Sequence, residues 1–251
     1  MSPTNTNQYT KVKPYNENEA KTKQLSRMFN TISAKYDAFN DIMTWGMARY
    51  WRKKALLSLK PYNPASILDI ATGTGDICIK AFQYLSPTKA LGVDISDKMM
   101  EVGRQKVEKA GLSNKISFEV QDCASLRYDD ASFDAATISF GIRNFEKLNE
   151  SLQQIFRVLK PGGHLLILEM NEPQKGFLLT AYKLYTRIFV SLTARFLSND
   201  KKAYDYLQQS MHVFASGEVL VKILEDNGFK RKTYHKFTFG VCSMYLVEKP
   251  L

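Results

Sequence analysis

Ile67-Leu-Asp-Ile-Ala-Thr-Gly-Thr-Gly-Asp76, followed by Leu91-Gly-Val-Asp-Ile95, decides the fold class of this chain. Each stretch carries a short apolar run with an acid, and the residues between them suffice for one helix. Two buried parallel strands joined by a crossover helix read this way. Gly73 and Gly75 flank Thr74, and backbone without Cβ atoms can turn tightly and approach a ligand there. Asp94, 25 residues after Asp69, stands at the end of the second run. A carboxylate in that place can accept hydrogen bonds from both hydroxyls of a ribose, so the pair predicts a nucleoside pocket.

The kind of nucleoside follows from what the turn lacks. A dinucleotide fingerprint needs a third glycine, and this chain has Cys78 in its place. Asp69 and Asp76 bracket the turn, and carboxylates there repel a pyrophosphate but suit a cationic amino-acid ligand. S-adenosylmethionine carries a sulfonium and an α-ammonium and no phosphate, so it is the expected cofactor. A nucleotide-dependent oxidoreductase would want the third glycine and a Tyr-x-x-x-Lys pair between the fourth and fifth strands, and neither is present where needed.

Strands are expected near 65–71, 89–95, 115–121, 133–140 and 164–170, with helices near 75–85, 97–110 and 146–159. This alternation predicts an α/β, doubly wound, mostly parallel sheet. A helix near 217–226 and strands near 230–238 and 241–248, split by Gly240, complete seven strands with one reversed at the sheet edge. Residues 1–23 are polar and expected to form an ill-ordered tail, leaving 24–251 as one domain. Within it, 24–60 read as N-terminal helices, with Leu25, Met28, Phe29, Ile32, Tyr36 and Phe39 at helical spacing. The segment 171–215 reads as a helical insertion after strand 5: Leu178, Tyr182, Tyr185, Phe189, Leu192 and Phe196 form an apolar stripe beside Lys175, Lys183, Arg187, Arg195, Lys201 and Lys202. It can be plain core packing with a solvated back, or a lid over an apolar substrate whose basic residues touch lipid headgroups.

The chain has 35 basic and 25 acidic side chains, a net charge of +10. Nucleic acid, an anionic membrane surface or an anionic substrate would each suit that charge, as would a merely solvated basic surface. The Pro-Pro-aromatic turn of DNA amino-methylating enzymes and the Pro-Cys of cytosine-5 enzymes are both missing after the fourth strand, so nucleic acid is not expected. Cys78, Cys123 and Cys242 are far apart with no CxxC, and no signal-peptide core or long apolar run is seen. A reducing cytoplasm without disulfides is expected. His164, His212 and His235 share no motif, so no metal is expected. The sequence leaves a homo-oligomer open.

Tyr36-Asp-Ala-Phe-Asn-Asp-Ile-Met43 with Trp51, Ile138-Ser-Phe-Gly-Ile-Arg-Asn144, Arg157-Val-Leu-Lys-Pro-Gly-Gly163 ending in Leu168-Glu169, and Asn199-Asp200 through Ala203–Ser210 together carry a resemblance. Over residues 25–249 the chain resembles the ubiquinone/menaquinone biosynthesis C-methyltransferases, a branch of the class I S-adenosylmethionine-dependent methyltransferases. It departs from their pattern at Phe39, Thr44, Ala48 and Asn171, where Met, Ser, His and Ser are usual. A role for that His therefore cannot carry over to Ala48.

The resemblance implies C-methylation of a prenylated quinol ring, demethylmenaquinol to menaquinol, with the benzoquinol of ubiquinone synthesis as the alternative. It implies a cytoplasmic enzyme meeting its substrate transiently at the inner face of the membrane. Methylation of another small apolar acceptor, or a non-catalytic scaffold for quinone enzymes, are the further alternatives. Gly73, Thr74 and Gly75 are expected to hold the methionine end with Asp69 beneath, Asp94 the ribose, and Asp122 with Cys123 the adenine, although Asp122 can equally cap a helix. Ser139 is expected to face the same crevice. Arg143, with Asn144 as polar partner, is the candidate to stabilise a quinolate, against the alternative of capping nearby carbonyls. Tyr36 can reach the substrate or serve as a core tyrosine.

Overall fold

A computed structural model describes residues 4–172, 179–180, 184 and 201–251. The first elements are all helical: α1 (Asn7–Thr10), α2 (Lys21–Ile32), α3 (Tyr36–Met43) and α4 (Met47–Ser58). There follow β1 (Ser66–Ile70), α5 (Asp76–Tyr84), β2 (Lys89–Asp94), α6 (Asp97–Lys109), β3 (Ile116–Val120), β4 (Phe133–Ser139), α7 (Leu148–Val158) and β5 (Leu159–Met170). The last part holds α8 (Lys201–Val213), α9 (Glu218–Asp226), β6 (Lys230–Phe237) and β7 (Cys242–Glu248).

The sheet has seven strands in the order β3-β2-β1-β4-β5-β7-β6. All neighbours are parallel except the two pairs made by β7. The expected reversed strand is present, but it lies one place in from the edge, and β6 forms the edge itself. Burial explains this: β7 is buried on nearly every residue, whereas β6 (KRKTYHKF) is almost wholly exposed, and a charged strand suits an open edge. β5 starts five residues earlier than expected. Leu159 pairs with Phe133 and His164 with Ala135, so the Pro161-Gly162-Gly163 turn is a bulge inside the strand.

Period-two alternation divides the central strands between two faces. Leu68, Ile70, Ala136 and Ile138 pack under α7 and α9 through Leu152, Ile155, Leu220 and Ile223. Ile67 and Ala135 pack under α4 and α5 through Trp51, Ala55, Cys78 and Ala81. Strand order reverses between β1 and β4, and at such a switch point the strand ends splay into a crevice.

The tail expectation is corrected. Thr6, Thr10 and Lys21 are buried, and Asn149 donates from Nδ2 to the Thr4 carbonyl at 2.9 Å. Few apolar groups anchor this stretch; hydrogen bonds do. The Gln24 side chain alone accepts from the amides of Tyr15 and Asn16 and donates to the carbonyls of Asn16 and Glu19. Of the insertion, the aromatic stripe and Lys175, Lys183, Arg187 and Arg195 lie outside the described residues.

Candidate active site

The turn after β1 is shaped by backbone that only glycine adopts easily. Gly73 and Gly75 have φ of +56° and +73°, and a Cβ on Gly75 would lie 2.6 Å from the Phe118 ring. Beneath the turn, Asp69 is buried between neighbouring strands. Its Oδ1 accepts from Thr137 Oγ1 and its Oδ2 from Thr72 Oγ1, both at 2.6 Å. Burial pushes its pKa up to about 6, against the hydroxyl hydrogen bonds that favour the ion.

At the end of β2, Asp94 accepts from the Gly73 amide at 2.8 Å and the Ser96 amide at 2.9 Å, one on each oxygen. Burial raises its pKa, opposed by those amides. Unlike Asp69, it lines a cavity, and each of its oxygens keeps a lone pair for a further donor.

That cavity lies at the switch point. Its apolar wall includes Phe29, Ile70, Val93, Met99, Phe140 and Phe145. Its polar groups include three carboxylates, Asp94, Asp122 and Glu146, and no lysine or arginine among the described residues lines it. Such a lining disfavours a phosphate and favours a cation-bearing ligand with an aromatic or apolar body. The residues therefore fit S-adenosylmethionine: vicinal hydroxyls for Asp94, a purine for the apolar wall, and positive charge for the acids.

Of the residues singled out from sequence, Tyr36, Gly73, Asp94, Asp122, Cys123, Ser139 and Asn144 line this cavity. Asp122 also caps the short turn at Cys123–Ser125, accepting from the Ala124 amide at 2.9 Å. The Cys123 thiol lies 3.2 Å from Ser151 Oγ, and burial pushes its pKa up to about 12, so it is no thiolate nucleophile. Tyr36 comes in on α3, and its hydroxyl has no hydrogen-bond partner among the described residues. Burial raises its pKa, keeping it a neutral donor.

Asp69, Thr74, Gly75 and Arg143 do not line the cavity. Thr74 Oγ1 donates to Asp37 Oδ1 at 2.6 Å and accepts from Lys106 Nζ at 3.1 Å, in a network that ties α3 to the turn and to α6. Arg52, from α4, extends the network by pairing with Asp76 at 3.1 Å.

The expectation for Arg143 is corrected. Its guanidinium is buried against the Glu169 carboxylate, Nη1 donates to the Phe140 carbonyl at 3.0 Å, and Nε is buried without a partner. Burial works against its charge, but Glu169, together with Tyr36 and Tyr206, raises its pKa. Arg143 thus braces the loop after β4, while Asn144 beside it faces the cavity and accepts from Tyr206 Oη at 2.9 Å.

Sequence reasoning missed the roof. Helix α2 closes the crevice with its first turn held by Glu146, whose carboxylate accepts from the amides of Lys21 and Thr22 and from Thr22 Oγ1. On the opposite rim, Ser26 Oγ donates to the Ile95 carbonyl at 2.8 Å, and Asn30 Oδ1 accepts from Ser96 Oγ at 2.7 Å. Lys21 is buried below, donating to the carbonyls of Thr10 and Arg143, and burial lowers its pKa to about 8 against the pull of Glu146. No local pattern marks these pairs, because the partners are more than 65 residues apart.

The model of the ubiE/COQ5 methyltransferase family matches residues 17–249. The chain belongs to that family. Among the methyltransferase's relatives is the demethylmenaquinone methyltransferase of Bacteroides fragilis, 44% identical over 239 residues, covering 95% of this chain and 98% of that one. The ubiquinone/menaquinone biosynthesis C-methyltransferase UbiE of Pseudomonas putida is 36% identical over 92% of this chain and 90% of its own length. Similar solved structures include the cyclase SpnF, with a TM-score of 0.67 at 14% identity over 92% of this chain and 96% of that one. Another is an S-adenosylmethionine-dependent methyltransferase from Aquifex aeolicus, with a TM-score of 0.53 at 17% identity over 74% and 82%. At such identities the likeness concerns the methyltransferase's fold alone; a cyclase among the neighbours illustrates why reaction must be argued from the site.

Proposed function

We propose that the protein methylates a ring carbon of a prenylated quinol, converting demethylmenaquinol to menaquinol, with S-adenosylmethionine as donor. The observation that carries this reading is the cavity at the switch point, acid-lined and, among the described residues, free of basic side chains, in a chain of this family. The names of its relatives support the quinol. When bound, S-adenosylmethionine supplies an already activated methyl group, so the chain's task is placement and charge stabilisation.

Asp94 takes the ribose hydroxyls, while Gly73 permits close approach. Asp122 and the backbone at Cys123 serve the adenine. Asp69, Thr74 and Gly75 hold the turn in shape. Ser139, Tyr36 and Asn144 face the acceptor end. The ring carbon becomes nucleophilic as a quinol oxygen gains negative charge, and the neutral Tyr36 hydroxyl is the donor available to stabilise that charge. The phenylalanines of the wall exclude water and accept the apolar ring.

No helix among the described residues is long and apolar enough to cross a membrane. An acceptor with a prenyl tail resides in the bilayer, so the enzyme works by transient contact with the membrane surface. The test is a transfer assay with isotope-labelled methyl donor and short-tailed demethylmenaquinol, analysed by mass spectrometry. A labelled menaquinol one methyl heavier supports the reading; labelling only of the corresponding benzoquinol would move the substrate to the ubiquinone series, as the name of the Pseudomonas relative allows.

A further inference from the structure

Two aromatic side chains stand out from the surface on backbone that keeps them there. Trp45, in the turn between α3 and α4, is 82% exposed at φ +50°, and Phe239, in the turn between β6 and β7, is 81% exposed at φ +55°. Left-handed backbone is uncommon at bulky side chains. Both turns are ordered by backbone hydrogen bonds, Gly46 to Asp41 at 2.8 Å and Val241 to Thr238 at 3.1 Å. The two turns are neighbours. Trp51 Nε1 donates to Thr238 Oγ1 at 2.9 Å, and the Tyr50 and Phe237 rings meet edge to face at 6.3 Å. Ile42 and Tyr50, each about half exposed, widen the patch.

Its position in the fold is informative. Phe237 is level with Cys242 and Cys242 with Met170, so the Phe239 turn lies at the carboxyl end of β5, the end that holds the cavity. Trp51 also contacts Phe140, a cavity wall residue, with ring centroids 6.5 Å apart.

The unpaired charges beside the patch are lysines. Lys53, Lys54 and Lys236 are exposed, their ammonium groups lie over tyrosine rings, and none pairs with a carboxylate among the described residues. Lys236 lies directly against the tip, its Cδ 4.0 Å from where a Cβ on Gly240 would be. Asp41, the acid nearest Trp45 in sequence, is already paired with Arg49. Protruding aromatics with unpaired lysines beside them match the interfacial zone of an anionic bilayer, where amphipathic rings settle among headgroups and lysines meet lipid phosphates.

Resting on the prenylated-quinol reading above, we propose that this face, with Trp45 and Phe239 as its tips and Lys53, Lys54 and Lys236 around them, seats the protein on an anionic lipid surface. The cavity end then faces the bilayer that holds the acceptor.

Flotation of the full chain with vesicles tests it, comparing phosphatidylcholine alone with phosphatidylcholine containing phosphatidylglycerol. The wild type is expected to float with the mixed vesicles, less as salt rises, and with a blue shift of tryptophan emission. Trp51 is buried already, so the shift reports Trp45 and disappears in Trp45→Phe. Trp45→Ser with Phe239→Ser, and separately Lys53→Gln with Lys54→Gln and Lys236→Gln, should each lower partitioning on the order of tenfold to a hundredfold. Turnover of a short-tailed quinol without vesicles should stay at the wild-type level in both, which shows that they fold. Wild-type protein that ignores anionic vesicles, or variants that float as well as it does, would overturn the proposal. A changed oligomeric mass in the patch variants with unchanged flotation would also overturn it and assign the face to a second copy. Absence of wild-type turnover on the short-tailed quinol, with flotation intact, would instead count against the substrate reading alone.

Discussion

Asp69 and Asp94 lie near the carboxyl ends of adjacent parallel strands, Asp69 level with Gly92 and Asp94 two residues further on, both buried and both with pKa values raised by burial, yet they serve different masters. Asp69 has a hydroxyl on each oxygen, from Thr72 and Thr137, and does not reach the cavity. Asp94 is oriented by two backbone amides and still faces the crevice. The difference teaches that the supply of donors from neighbouring strands, more than the residue type or its motif position, decides whether a carboxylate answers to the chain or to a ligand. Arg143 falls on Asp69's side of that division, since Glu169 and the Phe140 carbonyl occupy it.

The largest expected effect would break the division at Arg143. Arg143→Met leaves Glu169 buried without its counter-charge and should cost about 3–5 kcal/mol, read as a large drop in melting temperature. Adding Glu169→Gln should restore most of it. If Arg143→Met instead keeps its stability and loses only turnover, Arg143 belongs with Asp94 after all.

Next comes a pH test of Asp69. Between the unfolded carboxyl value near 3.9 and about 6, the folded chain keeps a proton that the unfolded chain releases. Stability from this group is therefore full at low pH and falls as pH rises through the window, by up to about 3 kcal/mol. Asp69→Asn should lose that fall, so melting curves of the two proteins should differ in slope between pH 4 and 6.5; parallel slopes would mean that the carboxyl is ionised in the fold throughout.

For Asp94, substitution with Asn should weaken S-adenosylmethionine by about 1.5–3 kcal/mol, roughly ten- to a hundredfold in Kd by calorimetry. Asp69→Asn at pH 7.5 should change that affinity far less, and equal losses would erase the contrast. The smallest effect sharpens it. Ser96 caps α6 through Oγ but holds Asp94 through its amide, so Ser96→Ala should cost about 1 kcal/mol of stability with cofactor affinity kept.

These contrasts mark how far the sequence can be read. The tight turn at Gly73 and Gly75 was legible because left-handed backbone admits few residue types, and Asp94 because an acid ends an apolar strand there. Apolar strands such as Ser66–Ile70, buried throughout, announced the parallel sheet. Arg143 was misread because no pattern in its own segment announces Glu169, 26 residues away on β5. The polar start of the chain was misread because composition measures apolar area, and what holds it is a set of specific acceptors such as Gln24 and Glu146. The reversed strand's place required knowing that the charged KRKTYHKF run prefers the open edge.

The grip of Glu146 on the first turn of α2 has a consequence for synthesis. Lys21 precedes Glu146 by 125 residues, so on a ribosome moving at roughly 5–20 residues per second the roof helix waits on the order of ten seconds for its cap. A helix of 12 residues is marginal on its own. The nascent chain therefore runs through β4 with the crevice unroofed, and the segment made first cannot settle until residue 146 has been added.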